Sequence, residues 1–138
     1  MKSGLPIIIF LFSIILMSCS DNDSLQSDYF KYKGTWLWLK TEGGFIGEVT
    51  TPEEGTSVKI NFDEFGRYRL FRNDSIKVSA NFKIQKTEDG YDRISYFDVT
   101  SFNFHFAAES NYAKRTNDTL TLWDGMADGY FSFFKKIN

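Results

Sequence analysis

Few side chains of the kinds that most often catalyse reactions or bind metals occur in this chain. Its 138 residues include one cysteine, Cys19, and one histidine, His105. A single cysteine cannot form a disulfide within the chain, and one Cys with one His leaves no cluster at zinc-ligand spacing. His105 lies between Phe104 and Phe106, on the polar face of that stretch, and no signature of an activated nucleophile accompanies it. The sequence therefore predicts no catalytic residue, metal or cofactor.

Two glycine-containing segments resemble binding loops only superficially. Asp124–Gly129 begins like a calcium loop, but Met126 occupies the third ligand position and Lys135 stands in place of the closing glutamate. Glu42–Gly55 contains neither Gly-x-Gly-x-x-Gly nor the Lys-Ser/Thr ending of a phosphate-binding loop. We expect a turn at the first segment and a long connection at the second.

The first 18 residues have the pattern of an export signal. Lys2 precedes an apolar run from Ile7 to Met17, which is shorter than the roughly 18 residues that a spanning helix needs. The run ends in Leu16–Cys19 (Leu-Met-Ser-Cys), which resembles the lipobox of bacterial lipoproteins. That resemblance implies removal of residues 1–18 and acyl chains on Cys19 that anchor the mature protein to a membrane. An ordinary secretory signal with an incidental cysteine is the alternative.

Residues 19–28 are polar and predict a flexible tether after the acylated cysteine. Asp21 and Asp23 resemble the acidic export signal of Bacteroidetes-type lipoproteins, which implies the outer membrane, at its periplasmic face or at the cell surface. A solvated linker without a sorting role is the alternative.

Charge and composition narrow the class of protein. The net charge is −2 and the basic residues are scattered singly, so the chain has no electrostatic footprint for nucleic acid. Aromatic residues make up 18% of the chain, including 15 Phe and 7 Tyr. We expect residues 29–138 to form one small domain that is stabilised by packing of these rings.

From residue 29 onward, apolar and polar residues alternate with a period of two, which predicts strands rather than helices. Asp63–Gly66 and Asn73–Asp74 are predicted turns. Eight antiparallel strands joined by short turns predict an all-β, up-and-down barrel, because closure removes exposed edges; a two-sheet sandwich is the alternative. The predicted strands are Gly34–Lys40, Ser57–Phe62, Arg67–Arg72, Ile76–Gln85, Tyr91–Val99, Phe102–Phe106, Leu120–Leu122 and Tyr130–Ile137.

The first strand begins with a Gly-x-Trp at Gly34–Trp36, and a loop from Gly43 to Glu53 follows it. The last strands and the loop between them contain Leu120–Leu122, Ala127–Tyr130 and Lys135–Ile137. Together these features resemble the lipocalin-like lipoproteins, calycin-type barrels common in Bacteroidetes. In lipocalins a basic residue of the last strand covers the Trp of a first-strand Gly-x-Trp, so the resemblance implies that Gly34, Trp36 and Lys136 close the barrel. Lys136 departs from the usual Arg, and the C-terminal helix of full lipocalins is missing from the pattern.

An eight-stranded barrel is just wide enough either to be filled by side chains or to hold one small ligand, and both readings stay open. The loop Glu42–Gly55 is a candidate lid, with Phe45 and Ile46 touching the ligand; a mobile loop that tucks these residues onto the rim is the alternative. The predicted interior residues are Trp36, Trp38, Phe62, Tyr68, Phe82, Tyr96, Phe104, Tyr130 and Phe134.

Two functions follow from these expectations. The first is a lipid-anchored binding protein that holds a small apolar or amphipathic molecule inside the barrel. The second is a non-catalytic scaffold with a filled core, which binds an envelope protein through loops or an outer face. The outward register predicts an aromatic surface made of Phe71, Phe97, Phe131 and Phe133.

Overall fold

The computed structural model describes residues 28–102 and 110–138. The predicted signal peptide, Cys19 and nearly all of the tether lie outside these ranges, and so do Phe104 and His105. The described chain is a short helix, α1 (residues 28–32), followed by nine strands. These are β1 (Gly34–Gly43), β2 (Glu48–Thr50), β3 (Val58–Phe62), β4 (Arg67–Arg72), β5 (Ser75–Lys86), β6 (Asp92–Ser101), β7 (Ser110–Thr116), β8 (Thr119–Trp123) and β9 (Tyr130–Lys136).

The strands form a closed antiparallel barrel of eight strands, which confirms the predicted fold class. Each strand from β3 to β9 pairs with the next, and β9 pairs with β1 to close the ring. The long strand β1 pairs with β3 through its first residues and with the extra strand β2 through its last. Closure leaves β2 as an edge strand of only three residues.

The two ends of the barrel differ. We call the end that holds α1, the turn at Asp63–Gly66 and the C-terminus the base. There Thr35 donates a backbone hydrogen bond to the Asn138 carbonyl at 3.1 Å. The opposite end, with the turn at 44–47 and the loop at 124–129, is the mouth. Successive strands run up and down between these two ends.

Turn chemistry accounts for two of the tight connections. Asn73 and Asp74 join β4 to β5 with φ values of 50° and 62°, the left-handed geometry of a two-residue hairpin turn that Asn and Asp tolerate. Gly66 ends the predicted turn at Asp63 with φ of 77°. Both turns were expected from the sequence and are confirmed.

The sixth predicted strand, Phe102–Phe106, lies outside the described residues except for Phe102, which is in a bend. The strand that follows β6 among the described residues is β7, at Ser110–Thr116, and it was not predicted. The inward positions of β7 are Asn111, Ala113 and Arg115, which are polar or small, so this strand lacks the apolar alternation that identified the others. Its pairing with β6 and β8 defines it instead.

Three further details of the strands were not predicted. The loop Glu42–Gly55 contains the end of β1 and all of β2. A bulge between Leu70 and Phe71 pairs Phe71 with Ile76 and turns Ile76 outward, whereas the alternation of apolar residues from Ile76 to Ile84 predicts an inward position. A second bulge at Leu39 shifts the pairing of β1 with β9.

Candidate functional site: a cavity at the mouth of the barrel

The base half of the barrel is filled by side chains. Trp36, Phe62 and Phe82 are fully buried, and the rings of Phe62 and Phe82 meet edge to face at 5.0 Å. Tyr32 of α1 is also fully buried and enters this core from below. Trp36 donates an indole hydrogen bond to the Tyr32 carbonyl at 2.8 Å. Helix α1 therefore serves as the floor of the barrel.

Two cations lie over the ring of Trp36. Lys136 of β9 places its ammonium 5.6 Å from the ring centroid, as the resemblance to lipocalins had implied. Arg115 of β7 places its guanidinium at 5.5 Å, a contact that the sequence did not suggest. Gly34 fits the same closure, because its φ of 130° and its approach to the Asn138 backbone leave no room for a β-carbon.

A buried carboxylate fastens α1 to the barrel. Asp92, at the start of β6, forms ion pairs with Lys31 and Lys86 and accepts a hydrogen bond from the Tyr32 hydroxyl. Burial alone would raise the pKa of Asp92, but the hydrogen bonds from Lys31, Lys86 and Tyr32 outweigh it and hold that pKa below its usual value. Its side chain is only 1% exposed. Asp92 is therefore ionised and structural.

The mouth half of the barrel is not filled. A cavity of about 510 Å³ lies above the packed base and opens at the mouth. This volume is within the range of small-molecule binding sites. Its lining residues are Trp38, Thr41, Pro52, Glu53, Thr56, Val58, Ile60, Tyr68, Leu70, Arg72, Asn111, Leu122, Asp124, Tyr130, Ser132 and Phe134.

The bulge at Leu39 produces the polar side of this cavity. It leaves Leu39 44% exposed, and it brings both Trp38 and Thr41 to the cavity wall. Trp38 donates its indole hydrogen to the Thr41 hydroxyl at 3.0 Å, and that hydroxyl lies 2.8 Å from the hydroxyl of Ser132 on β9. These groups give one wall hydrogen-bonding capacity within an otherwise mainly apolar lining.

The inner end of the cavity includes one buried tyrosine, Tyr68, with a second, Tyr96, packed against it. Tyr68 forms part of the lining, and its ring lies 4.8 Å from that of Tyr96. Burial raises the pKa of both phenols well above the ordinary value, and the nearby Tyr96 raises that of Tyr68 further. Both phenols are therefore neutral at physiological pH, so the inner end of the cavity carries no charge from them.

Charged groups lie at the entrance. Arg72 at the end of β4 approaches Glu53 to 3.5 Å, and both are solvent-accessible. Asp124 accepts backbone hydrogen bonds from Met126 at 3.0 Å and Tyr130 at 3.4 Å, which fixes the loop at 124–129. The Tyr130 ring packs over Gly44 at the rim and remains 50% exposed.

The residues predicted for the interior divide between the two halves of the barrel. Trp38, Tyr68, Tyr130 and Phe134 line the cavity. Trp36, Phe62, Phe82 and Tyr96 are buried and do not belong to its lining. Phe104 lies outside the described residues.

The proposed lid residues do not touch the cavity in this structure. Phe45 and Ile46 are 92% and 85% exposed, at the tip of the hairpin formed by β1 and β2. Gly47 donates a backbone hydrogen bond to Gly44 at 3.0 Å to close this turn. Pro52 and Glu53, later in the same connection, are the residues that reach the cavity.

Sequence reasoning missed several lining residues. Asn111 lies on the strand that was not predicted, and Asp124 was assigned to a turn alone. Thr41 was missed because strict alternation from Trp36 and Trp38 excludes it, and only the bulge restores it to the inner face. Val58, Ile60 and Leu70 lie on predicted strands, and their places in the apolar alternation were the signal that could have identified them.

No family model, curated protein or solved structure matches this chain. Within residues 28–102 and 110–138 there is no group of three or more His, Cys, Asp or Glu side chains placed to hold a metal ion. The same residues include no helix with the length and apolar character needed to cross a membrane.

Proposed function

We propose that this barrel is a non-catalytic binding protein that holds one small apolar or amphipathic molecule in its mouth half. The observation that carries the proposal is the cavity of about 510 Å³ above a filled base. Its wall combines apolar side chains such as Ile60, Leu70 and Phe134 with a few polar groups, the usual composition of a site that binds a hydrophobic body and orients its head.

The proposal also includes the lipocalin-like lipoprotein character inferred from the lipobox. Acyl chains on Cys19 would tether the barrel to the outer membrane through residues 19–28. The described chain begins at the base, where Tyr32 and Asp92 fasten α1. A tether attached there would leave the mouth free to exchange ligand, on the side of the barrel opposite to the attachment.

Ligand uptake is tested with the neutral fluorescent probe N-phenyl-1-naphthylamine and with native mass spectrometry of the protein from its own host. We expect probe fluorescence to rise on addition of protein. Val58→Trp, which places a large side chain in the cavity wall, should abolish the rise. Val99→Trp is the matched control, because Val99 is 43% exposed and lies outside the lining.

The binding proposal fails if the wild-type protein gives no rise and no co-purifying molecule. It also fails if Val58→Trp folds normally and binds the probe as well as the Val99→Trp variant does.

The anchor is tested separately in the host. Metabolic labelling with an alkyne analogue of palmitate should label the wild-type protein and place it in the membrane fraction. Cys19→Ser should abolish both results. Labelling that persists in the variant would contradict acylation at Cys19.

The second candidate function is a protein-interaction scaffold, and the exposed hairpin tip favours it. Phe45 and Ile46 are too exposed to stabilise the fold. The predicted outer aromatic patch fits less well, because Phe71 and Phe97 lie on β4 and β6, which β5 separates. Cross-linking in intact cells should therefore lose specific products in Phe45→Ser, while probe binding is unchanged. Identical products from both proteins would remove this candidate.

A further inference from the structure

The net charge of −2 conceals an asymmetry between the two ends of the barrel. Three loop segments at the mouth contribute to the cavity lining, namely 42–57, 72–75 and 124–130. Together they contain seven carboxylates and one cation, Arg72. The base segments 28–33, 63–67, 86–92, 115–119 and 135–138 contain seven carboxylates and seven cations. The excess negative charge is therefore located around the entrance to the cavity.

Much of this negative charge is not neutralised locally. Three mouth carboxylates have partners, in the pairs Lys40–Glu42, Lys59–Asp74 and Arg72–Glu53. The other four form no ion pair with any residue that the structure describes; they are Glu48, Glu54, Asp124 and Asp128. Carboxylates grouped around one opening raise the local concentration of cations and steer them inward.

The charged groups in the cavity wall also favour a cationic ligand. Asp124, Glu53 and Arg72 all belong to the cavity wall, and the guanidinium of Arg72 already faces Glu53 at 3.5 Å. An anionic head would have to displace Glu53 from Arg72 and would still approach Asp124. A cationic head instead meets two carboxylates and the exposed ring of Tyr130, whose face attracts ammonium groups.

We propose that the ligand is an amphiphile with an organic cation as its head, most simply an ammonium group. Its apolar body lies in the cavity, and its head lies at the mouth between Asp124 and Glu53. This inference rests on the proposed binding function and adds the charge class of the ligand. An acidic head held by Arg72 is the opposite outcome, and the test separates the two.

Three probes with the same eight-carbon chain provide the test: octylamine, octanoate and octanol, each titrated against the full-length protein at pH 7 and low salt. We expect octylamine to bind about tenfold more tightly than octanoate, because an exposed ion pair contributes up to about 1 kcal/mol, roughly fivefold, and the same carboxylates repel octanoate. Higher salt should weaken octylamine binding and leave octanol binding unchanged.

Variants assign the preference to the mouth. Asp124→Asn removes the charge and keeps one carbonyl oxygen, which can accept the 3.0 Å hydrogen bond from Met126. Only the longer hydrogen bond, from Tyr130 to the other carboxylate oxygen at 3.4 Å, is lost. Asp124→Asn and Glu53→Gln should each reduce the preference for octylamine over octanoate several-fold. Asp89→Asn at the base, where Asp89 forms no ion pair with a described residue, is the control and should leave the preference unchanged.

The outcomes distinguish this inference from the binding function on which it rests. If octanol binds in the cavity but octylamine and octanoate bind equally, the binding function stands and the cationic head is refuted. Tighter binding of octanoate, lost in Arg72→Gln, refutes the cationic head in favour of an anionic one. If neither octanol nor N-phenyl-1-naphthylamine binds, the binding function itself fails and the inference fails with it.

Discussion

Asp92→Asn changes few atoms but should destabilise the protein strongly. The Asp92 carboxylate is 1% exposed and receives two ammonium groups and one hydroxyl. Breaking a buried ion pair costs roughly 3–5 kcal/mol. Lys31 and Lys86 are 41% and 57% exposed and can be hydrated again, and Asn still accepts a hydrogen bond from Tyr32. We therefore expect a loss of about 2 kcal/mol.

That loss should be measurable by two methods. Urea denaturation followed by tryptophan fluorescence should show a lower midpoint, since Trp36 contacts α1 directly. In a domain of about 100 residues, 2 kcal/mol corresponds to a fall in Tm of roughly 8–16 °C. Asp89→Asn removes a carboxylate from the same β5–β6 turn and should leave both measurements nearly unchanged, because surface substitutions seldom exceed about 0.5 kcal/mol.

The pH dependence gives the variant a distinctive signature. The pKa of Asp92 is lower in the folded protein than in the unfolded chain. Its stabilising contribution is therefore complete above the unfolded value of about 3.9 and is lost as pH falls through the folded value. The stability difference between wild type and Asp92→Asn should be full at pH 7 and shrink below about pH 4. A variant as stable as wild type at pH 7, or a difference that stays constant down to pH 3, would refute this account of how α1 is held.

Two further predictions concern closure and the inner end of the cavity. Gly34→Ala should lower the free energy of unfolding by roughly 2–3 kcal/mol in urea denaturation, because its β-carbon would collide with the Asn138 backbone at a φ that L-residues rarely adopt. Gly90→Ala is the control, since Gly90 has a φ of 80° but open space around it, and it should cost only about 1 kcal/mol. Equal losses in the two variants would argue against the steric reason. Burial raises the pKa of the Tyr68 phenol, so this group should stay neutral while the exposed tyrosines of the folded protein ionise between pH 8 and 11. Tyr68→Phe should therefore leave the tyrosinate absorbance in that range unchanged. A loss equal to one tyrosine would show that water reaches the phenol.

Much of the barrel was predictable because the signals that identify its strands and turns lie within short stretches of sequence. Alternation in β5 identified Val78, Ala80, Phe82 and Ile84 as inward residues, and all four are buried. The pair Asn73–Asp74 identified a hairpin turn, because few residues tolerate its backbone geometry. Strand β7 escaped prediction, since its inward face lacks large apolar side chains and only its partners on both sides make it a strand.

The candidate site was predictable only in part. Trp38, Tyr68, Tyr130 and Phe134 were expected inside the barrel, and they line the cavity. Residue types do not show that the rings fill one half of the barrel and leave the other half empty, because the same aromatic residues can build a filled core or line a binding site. The filling of the base depends on Tyr32, which enters from a helix outside the strand pattern and is held by Asp92, 60 positions away.

The sequence by itself determined that this chain forms an all-β domain, since a period of two places one face of each strand against a common core. It also placed the only cysteine in a lipobox-like tetrapeptide, from which the anchor is proposed. The tertiary structure alone decided where the interior is empty and which charges surround the opening. Both depend on bulges, strand order and long-range contacts, which bring together residues such as Glu53, Arg72 and Asp124 that lie far apart in the chain.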